Sequence, residues 1–157
     1  MRCYLAGFIQ GSVIDQCCAW RKKLRDTYDN WEGGRYPIEW LDPLNGENFS
    51  EISTDGLKGA MPSHFIVHKD YKCIQDCDIM IANMNSFGQD RPLIGTTFEL
   101  AWAGMLHKPI IMITTDKMWI EHPFPAYYTS WVVPSVEELI KQKIINQCYK
   151  SFNSAQY

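Results

Sequence analysis

No run of apolar residues in this chain approaches the ~18 that a membrane-spanning helix needs, so no transmembrane segment and no membrane partner is expected. Charge of one sign is not in large excess either. Fifteen Lys and Arg face eighteen Asp and Glu, for a formal net charge of -3, and no basic stripe is present to suit a polymeric nucleic acid. Six cysteines include no Cys-x-x-Cys pair, and adjacent Cys17 and Cys18 suit no zinc knuckle. Cys73 and Cys77 stand one helical turn apart and read as reduced thiols, so no metal is expected. The opening stretch breaks at Gly7 and is too short for a signal peptide. Internal repeats and low-complexity tracts are absent. A soluble cytoplasmic protein is the expectation.

The 157 residues are 46% hydrophobic, 21% charged and 13% aromatic, which suits one globular domain over residues 1–157 with a well-filled core. Residues 2–6 predict a short buried strand ending at Gly7. Val13, Ile14, Cys17, Cys18, Leu24 and Tyr28 recur at helical spacing over 12–28, with Ser12 as N-cap. The cluster Arg21-Lys22-Lys23, with Arg25 after it, reads as the solvated face of that helix. A second strand is expected over 36–41, at an edge because of Pro37. Residues 42–61 form a long polar loop. A helix then opens at Pro62-Ser63, and strands follow at 78–82, 109–113 and 131–133. Gly95-Thr96-Thr97 reads as a turn into a helix ending near Leu106, residues 122–125 as part of a loop, and 136–149 as one amphipathic helix. Apolar strands alternating with helices predict an α/β fold: a flavodoxin-like, doubly wound, five-stranded parallel sheet with helices on both faces. Ligands of such sheets sit beyond the carboxyl ends of the strands.

Three residues near those ends can carry chemistry. Glu99 falls in the predicted first helical turn after Gly95. It is either an acid that the helix dipole favours, or a carboxylate held ionised as a nucleophile. Tyr4 is either a core ring or a hydroxyl that donates to Glu99. Asp70 is either a solvated helix residue or a contact to a heterocyclic base. His64, His68 and Lys69 beside it show no nucleophile triad and read as structural. Asp76 and Asp78 stand at the amino end of a strand and read as caps. Asp42 and Asn83 end strands and are lesser pocket candidates.

Tyr4-Leu5-Ala6-Gly7, residues 76–83 and residues 94–103, followed by Lys108-Pro109, resemble the nucleoside 2-deoxyribosyltransferase family. The resemblance implies exchange of an N-glycosidic bond. Glu99 matches the family nucleophile that attacks C1′ of a 2′-deoxynucleoside and forms a glycosyl ester. Tyr4 matches the tyrosine that orients it. Asp70 matches an acid that binds the base and assists its protonation. Gly7, Gly95 and Thr96 would shape the backbone around the sugar, and Phe8 would stack on the base. The implied partners are a small nucleoside or nucleotide and a free nucleobase, with no cofactor, in a homo-oligomer.

The chain departs from the family at Leu93, where some transferases carry a second base-contacting Asp and monophosphate N-hydrolases a phosphate-binding Ser. Asp90, three residues earlier, is the nearby substitute. Two further readings compete. Phosphoribohydrolases share the glycine-Thr-x-x-Glu element but carry Pro-Gly-Gly before it, which Arg91-Pro92-Leu93 does not supply. A non-catalytic nucleotide-binding module would explain Leu93, although not the joint presence of Tyr4, Asp70 and Glu99.

Overall fold

The structure is a computed structural model and describes residues 1–9, 14–29, 37–44 and 62–154. Strands β1 (Arg2–Gly7), β2 (Glu39–Leu41), β3 (Ile79–Asn83), β4 (Ile110–Ile113) and β5 (Trp131–Val133) form one sheet in the order β2-β1-β3-β4-β5. All four pairings are parallel. The chain moves from β1 outward to β2, then crosses to the other side of β1 for β3. That reversal opens a crevice at the carboxyl ends of β1 and β3, where Gly7 pairs with Asn83.

Helices cover both faces, as an apolar parallel sheet requires. Helix α1 (Ile14–Asp29) lies on one side, and α2 (Ser63–Asp76) and α3 (Ile94–Met105) on the other. The pleat assigns the side chains. Cys3, Leu5, Ile79, Ile81, Ile111 and Ile113 join the core with Trp20 and Leu24 of α1. Tyr4, Ala6, Met80, Ala82, Ile110 and Met112 join the opposite core with Ile74 of α2 and Leu100 and Ala103 of α3. Each fully buried Leu or Ile contributes about 1.5–3 kcal/mol. Alternation of faces therefore aims Tyr4 at α2 and α3.

Several local expectations change. Residues 10–13, 30–36 and 45–61, including the Ser12 cap and most of the long polar loop, lie outside the described residues. Helix α3 starts at Ile94, so Gly95, Thr96 and Thr97 lie inside it rather than in a turn. The Thr97 N–H and hydroxyl both donate to the Leu93 carbonyl, which closes the first turn. The predicted loop at 122–125 is instead the junction of two short helices, α4 (Lys117–Glu121) and α5 (Pro123–Tyr128), with residues 123–125 inside α5. Asp116 caps α4, and His122 caps α5 ahead of Pro123. The single terminal helix is two, α6 (Val136–Lys141) and α7 (Ile144–Ser154), broken where Lys143 takes a positive φ of 54°. Among the described residues no helix is long and apolar enough to cross a membrane.

Arg21 is the largest departure. It is wholly buried, not solvated, whereas Lys22 and Lys23 face water and pair with Asp26 and Glu137. The helical register explains the difference. Cys17, Trp20, Arg21 and Leu24 recur at the three- and four-residue spacing of one helix face, and all four are buried.

Candidate active site

The Tyr4 hydroxyl donates a 2.6 Å hydrogen bond to Glu99 Oε1. Both residues are buried, and Glu99 is 7% exposed. Glu99 borders a cavity of about 340 Å³ at the carboxyl end of β1. Gly7, Phe8 and Ile9 line it from the end of β1, and Pro43 from beyond β2. Helix α2 contributes Ile66, Lys69 and Asp70, again three and four residues apart on one face. Pro92, Leu93, Ile94, Gly95 and Thr96 complete the wall before Glu99. A mostly apolar cavity with a few convergent polar groups is the usual form of a small-molecule site.

The electrostatics differ from the expected helix-start effect. Glu99 sits in the second turn of α3, beyond the first turn in which the dipole acts. Burial pushes its carboxyl up from the ordinary 4.5 to about 7. The Tyr4 hydrogen bond opposes that shift, the nearby Asp70 charge adds to it, and the Arg21 guanidinium opposes it. Burial, followed by the Glu99 and Asp70 charges, holds the Tyr4 phenol well above its ordinary range, so Tyr4 remains a neutral donor. The site thus holds a carboxyl that can gain or lose a proton near neutrality beside a fixed hydroxyl donor.

Seven of the candidate residues border this cavity or bond within it: Tyr4, Gly7, Phe8, Asp70, Gly95, Thr96 and Glu99. Three do not. Asp42 is buried outside the lining, its carboxylate held by Arg25 Nη1 at 2.8 Å and accepting from the Leu44 N–H at 3.0 Å. Asn83 borders a different cavity, with Trp20, Phe87 and Ser135. Its Oδ1 accepts from the Asn85 N–H and side-chain amide. The pleat accounts for this, since Ile79, Ile81 and Asn83 alternate with the residues that share the Tyr4 face. Asp90 is exposed and outside the lining; the wall is made by the residues just after it, from Pro92 onward.

The glycines act differently. A Cβ at Gly7 would meet the Trp20 ring and the Asn83 carbonyl, both at 3.1 Å, so Gly7 also lets α1 close on the strand end. A Cβ at Gly95 would meet nothing within 4 Å. Lys69, read from the sequence as structural, borders the cavity and donates to the Pro43 carbonyl at 2.9 Å. His64 and His68 are exposed and outside the lining. Asp78 accepts from the Arg2 N–H at 2.7 Å, and Asp76 pairs with Lys72, away from the cavity. Cys77 is buried, with its thiol donating to the Ile74 carbonyl. Arg21, which helical periodicity could have placed in the core, donates to the Gly7 carbonyl at 3.1 Å.

The chain is similar to known proteins in sequence and in fold. The sequence model described as nucleoside 2-deoxyribosyltransferase matches residues 3–152. No curated protein sequence matches the chain. Among solved structures it is similar to a 2-desoxiribosyltransferase from Leishmania mexicana, with 25% identity and a TM-score of 0.51 over 73% of this chain. The chain spans 65% of the length of that protein. It is also similar to a 2-deoxyribosyltransferase from Bacillus psychrosaccharolyticus, at 13% identity and a TM-score of 0.59, over 88% of this chain and 90% of that one. A CMP N-glycosidase from Clostridium botulinum matches at 17% identity and a TM-score of 0.58, over 92% of this chain and 99% of that one. The two bacterial likenesses carry the fold alone, and that fold is the flavodoxin-like α/β sheet.

Proposed function

The chain belongs to the nucleoside 2-deoxyribosyltransferase family, and from that premise we propose that it cleaves the N-glycosidic bond of 2′-deoxynucleosides and transfers the deoxyribosyl group to another base. One observation carries this reading: the 2.6 Å Tyr4–Glu99 hydrogen bond at a cavity that Asp70 also borders. In its ionised form Glu99 attacks C1′ while the C1′–N bond to the base breaks. The base leaves with a proton that Asp70 helps to deliver. The product is an ester between Glu99 and the sugar, formed through an oxocarbenium-like transition state as in retaining glycosidases. An incoming base then attacks C1′ as the C1′–O bond of the ester breaks, gives its proton back to Asp70, and regenerates the Glu99 carboxylate with overall retention.

Tyr4 supplies two effects. Its hydrogen bond fixes the Glu99 carboxyl, and it stabilises the ionised form against burial. Phe8 supplies a ring for the base, and Gly95 and Thr96 border the space for the sugar. Interception of the ester by water would give hydrolysis, the outcome named for the Clostridium botulinum neighbour. The reading carries a small-molecule nucleoside or nucleotide and a free nucleobase as partners, no cofactor, and a homo-oligomer. Phe98, Met105, Phe124 and Tyr127 on α3 and α5 are exposed apolar side chains suited to burial between copies, which sedimentation of the purified protein would test.

The deciding experiment incubates the protein with a panel of deoxynucleosides and their monophosphates plus a second free base. A new nucleoside marks transfer, and free sugar alone marks hydrolysis. Mass spectrometry should find the sugar ester on Glu99 after rapid acid quenching. Unchanged turnover in Glu99→Ala would refute the nucleophile assignment.

A further inference from the structure

Arg21 is a fully buried cation that the glycosidic chemistry does not itself use. Such a group is costly to desolvate unless its charge and its donors are met. Here Asp42 meets the charge and two carbonyls meet Nη1 and Nη2, while Nε makes no hydrogen bond. Nη1 donates to the Cys17 carbonyl at 2.6 Å, within α1. Nη2 donates to the Gly7 carbonyl at 3.1 Å, at the end of β1. Nε stands 3.4 Å from Asp42 Oδ1, just after β2. The guanidinium carbon also lies 4.5 Å from the centre of the Trp20 ring.

The contacts continue into the cavity wall. Asp42 holds Arg25 through its second oxygen and accepts from the Leu44 N–H, forming a tight turn around Pro43. The Pro43 carbonyl accepts from Lys69, which precedes Asp70 on α2. Gly7, Pro43, Lys69 and Asp70 all border the Glu99 cavity. A single buried ion pair thus links the β1 end, the turn after β2 and the wall of α2.

We propose that Arg21, paired with Asp42, is a positioning residue of the Glu99 site, holding the Gly7 carbonyl and the Pro43 turn against the reacting groups. The proposal rests on the reading of Glu99 as the reacting carboxylate. Arg21 acts in two ways. Mechanically, its planar fork spans two carbonyls and a carboxylate, which a lysine cannot do. Electrostatically, its fixed charge favours the ionised form of Glu99. The titratable and charged groups facing Glu99 are Tyr4 from β1, Lys69 and Asp70 from α2, and Arg21 from α1.

The test compares Arg21→Lys, Arg21→Met and the double variant Arg21→Met/Asp42→Leu with the wild type. The double variant removes both buried charges together, which proteins tolerate far better than removal of one partner. Three quantities are measured: the thermal midpoint, the titration of Glu99 by carbon NMR of labelled glutamate, and kcat and KM on a deoxynucleoside. In the two Met variants the Glu99 midpoint should move to higher pH. Their kcat should fall about tenfold or more, with a smaller change in KM. Arg21→Lys should keep the Glu99 midpoint near that of the wild type but lose kcat. A folded double variant with unchanged Glu99 midpoint and unchanged kcat overturns the proposal, as does a lowered thermal midpoint with both others unmoved. If the wild type turns over no deoxynucleoside, the functional reading fails separately, and the Glu99 titration still decides the effect of Arg21.

Discussion

Tyr4 and Glu99, 95 residues apart in the chain, meet through a 2.6 Å hydrogen bond in the core between the sheet and α3. Removing the Tyr4 hydroxyl should leave the buried carboxylate without that donor. Tyr4→Phe keeps the ring and its packing, so the protein should fold, with a loss of about 1–3 kcal/mol above neutral pH. Because the hydrogen bond favours the ionised form of Glu99, the acid limb of kcat/KM should shift to higher pH. Turnover at pH 7 should drop about 10–100-fold. A pH profile superimposable on that of the wild type would exclude any influence of Tyr4 on Glu99.

The proton affinity of Glu99 also links activity and stability to pH in opposite senses. Burial pushes the folded carboxyl up to about 7, against 4.5 for the ordinary group. Between those values the native state binds more protons than the unfolded state, so stability falls as pH rises through the window. The stabilisation is fully present below about 4.5 and is lost as pH passes 7. That upward displacement is worth on the order of a few kcal/mol. Nucleophilic activity should rise through the same range. Urea denaturation of wild type and Glu99→Gln at pH 5 and pH 8 checks this. The variant should be inactive, and its stability should lack this contribution to the pH dependence.

Two aspartates that the sequence offers as candidates, Asp70 for the base and Asp90 as a substitute for the acid absent at Leu93, should behave differently. Asp70 borders the cavity, whereas Asp90 is exposed outside it. Asp70→Asn should lower kcat about 100-fold through loss of proton delivery. Asp90→Asn should leave kcat within about twofold, in line with a surface substitution. Steady-state kinetics on the best deoxynucleoside distinguish them, and equal losses would bring Asp90 into the site.

Two glycines of α3 should respond with opposite sign. A Cβ at Gly104 would lie 2.3 Å from the Tyr128 ring, where α5 packs on α3. Gly104→Ala should therefore destabilise by about 1–3 kcal/mol despite its better helix propensity. Gly95→Ala meets no atom within 4 Å and should stabilise by up to about 1 kcal/mol. Denaturation midpoints read both. A loss of turnover in Gly95→Ala alone would mark the substrate as the missing neighbour.

The fold was legible because its signals are local. Leu5, Ile79, Ile81 and Ile111 stand in continuous apolar strands, and a sheet covered on both faces selects such runs. Missed boundaries also had local causes. Gly95 read as a turn, yet glycine is tolerated inside a helix when the surrounding turn closes, as it does from Leu93 to Thr97. Asp116 Oδ1, accepting from the Met118 N–H, and His122 Nδ1, accepting from the Phe124 N–H, make caps out of what looked like a loop.

The sequence by itself determined the alternation of strands and helices, and with it the carboxyl-end crevice where Tyr4, Gly7 and Glu99 stand. It also carried the family likeness, because those residue types recur at definite spacing. Only the tertiary structure decided which distant groups meet Arg21 inside the core, the Gly7 carbonyl and Asp42, and that burial holds the Glu99 carboxyl up near neutrality. Periodicity reaches a few residues along the chain. Burial and electrostatic environment depend on which distant segments close over a group, so they come into being only when the sheet and helices pack.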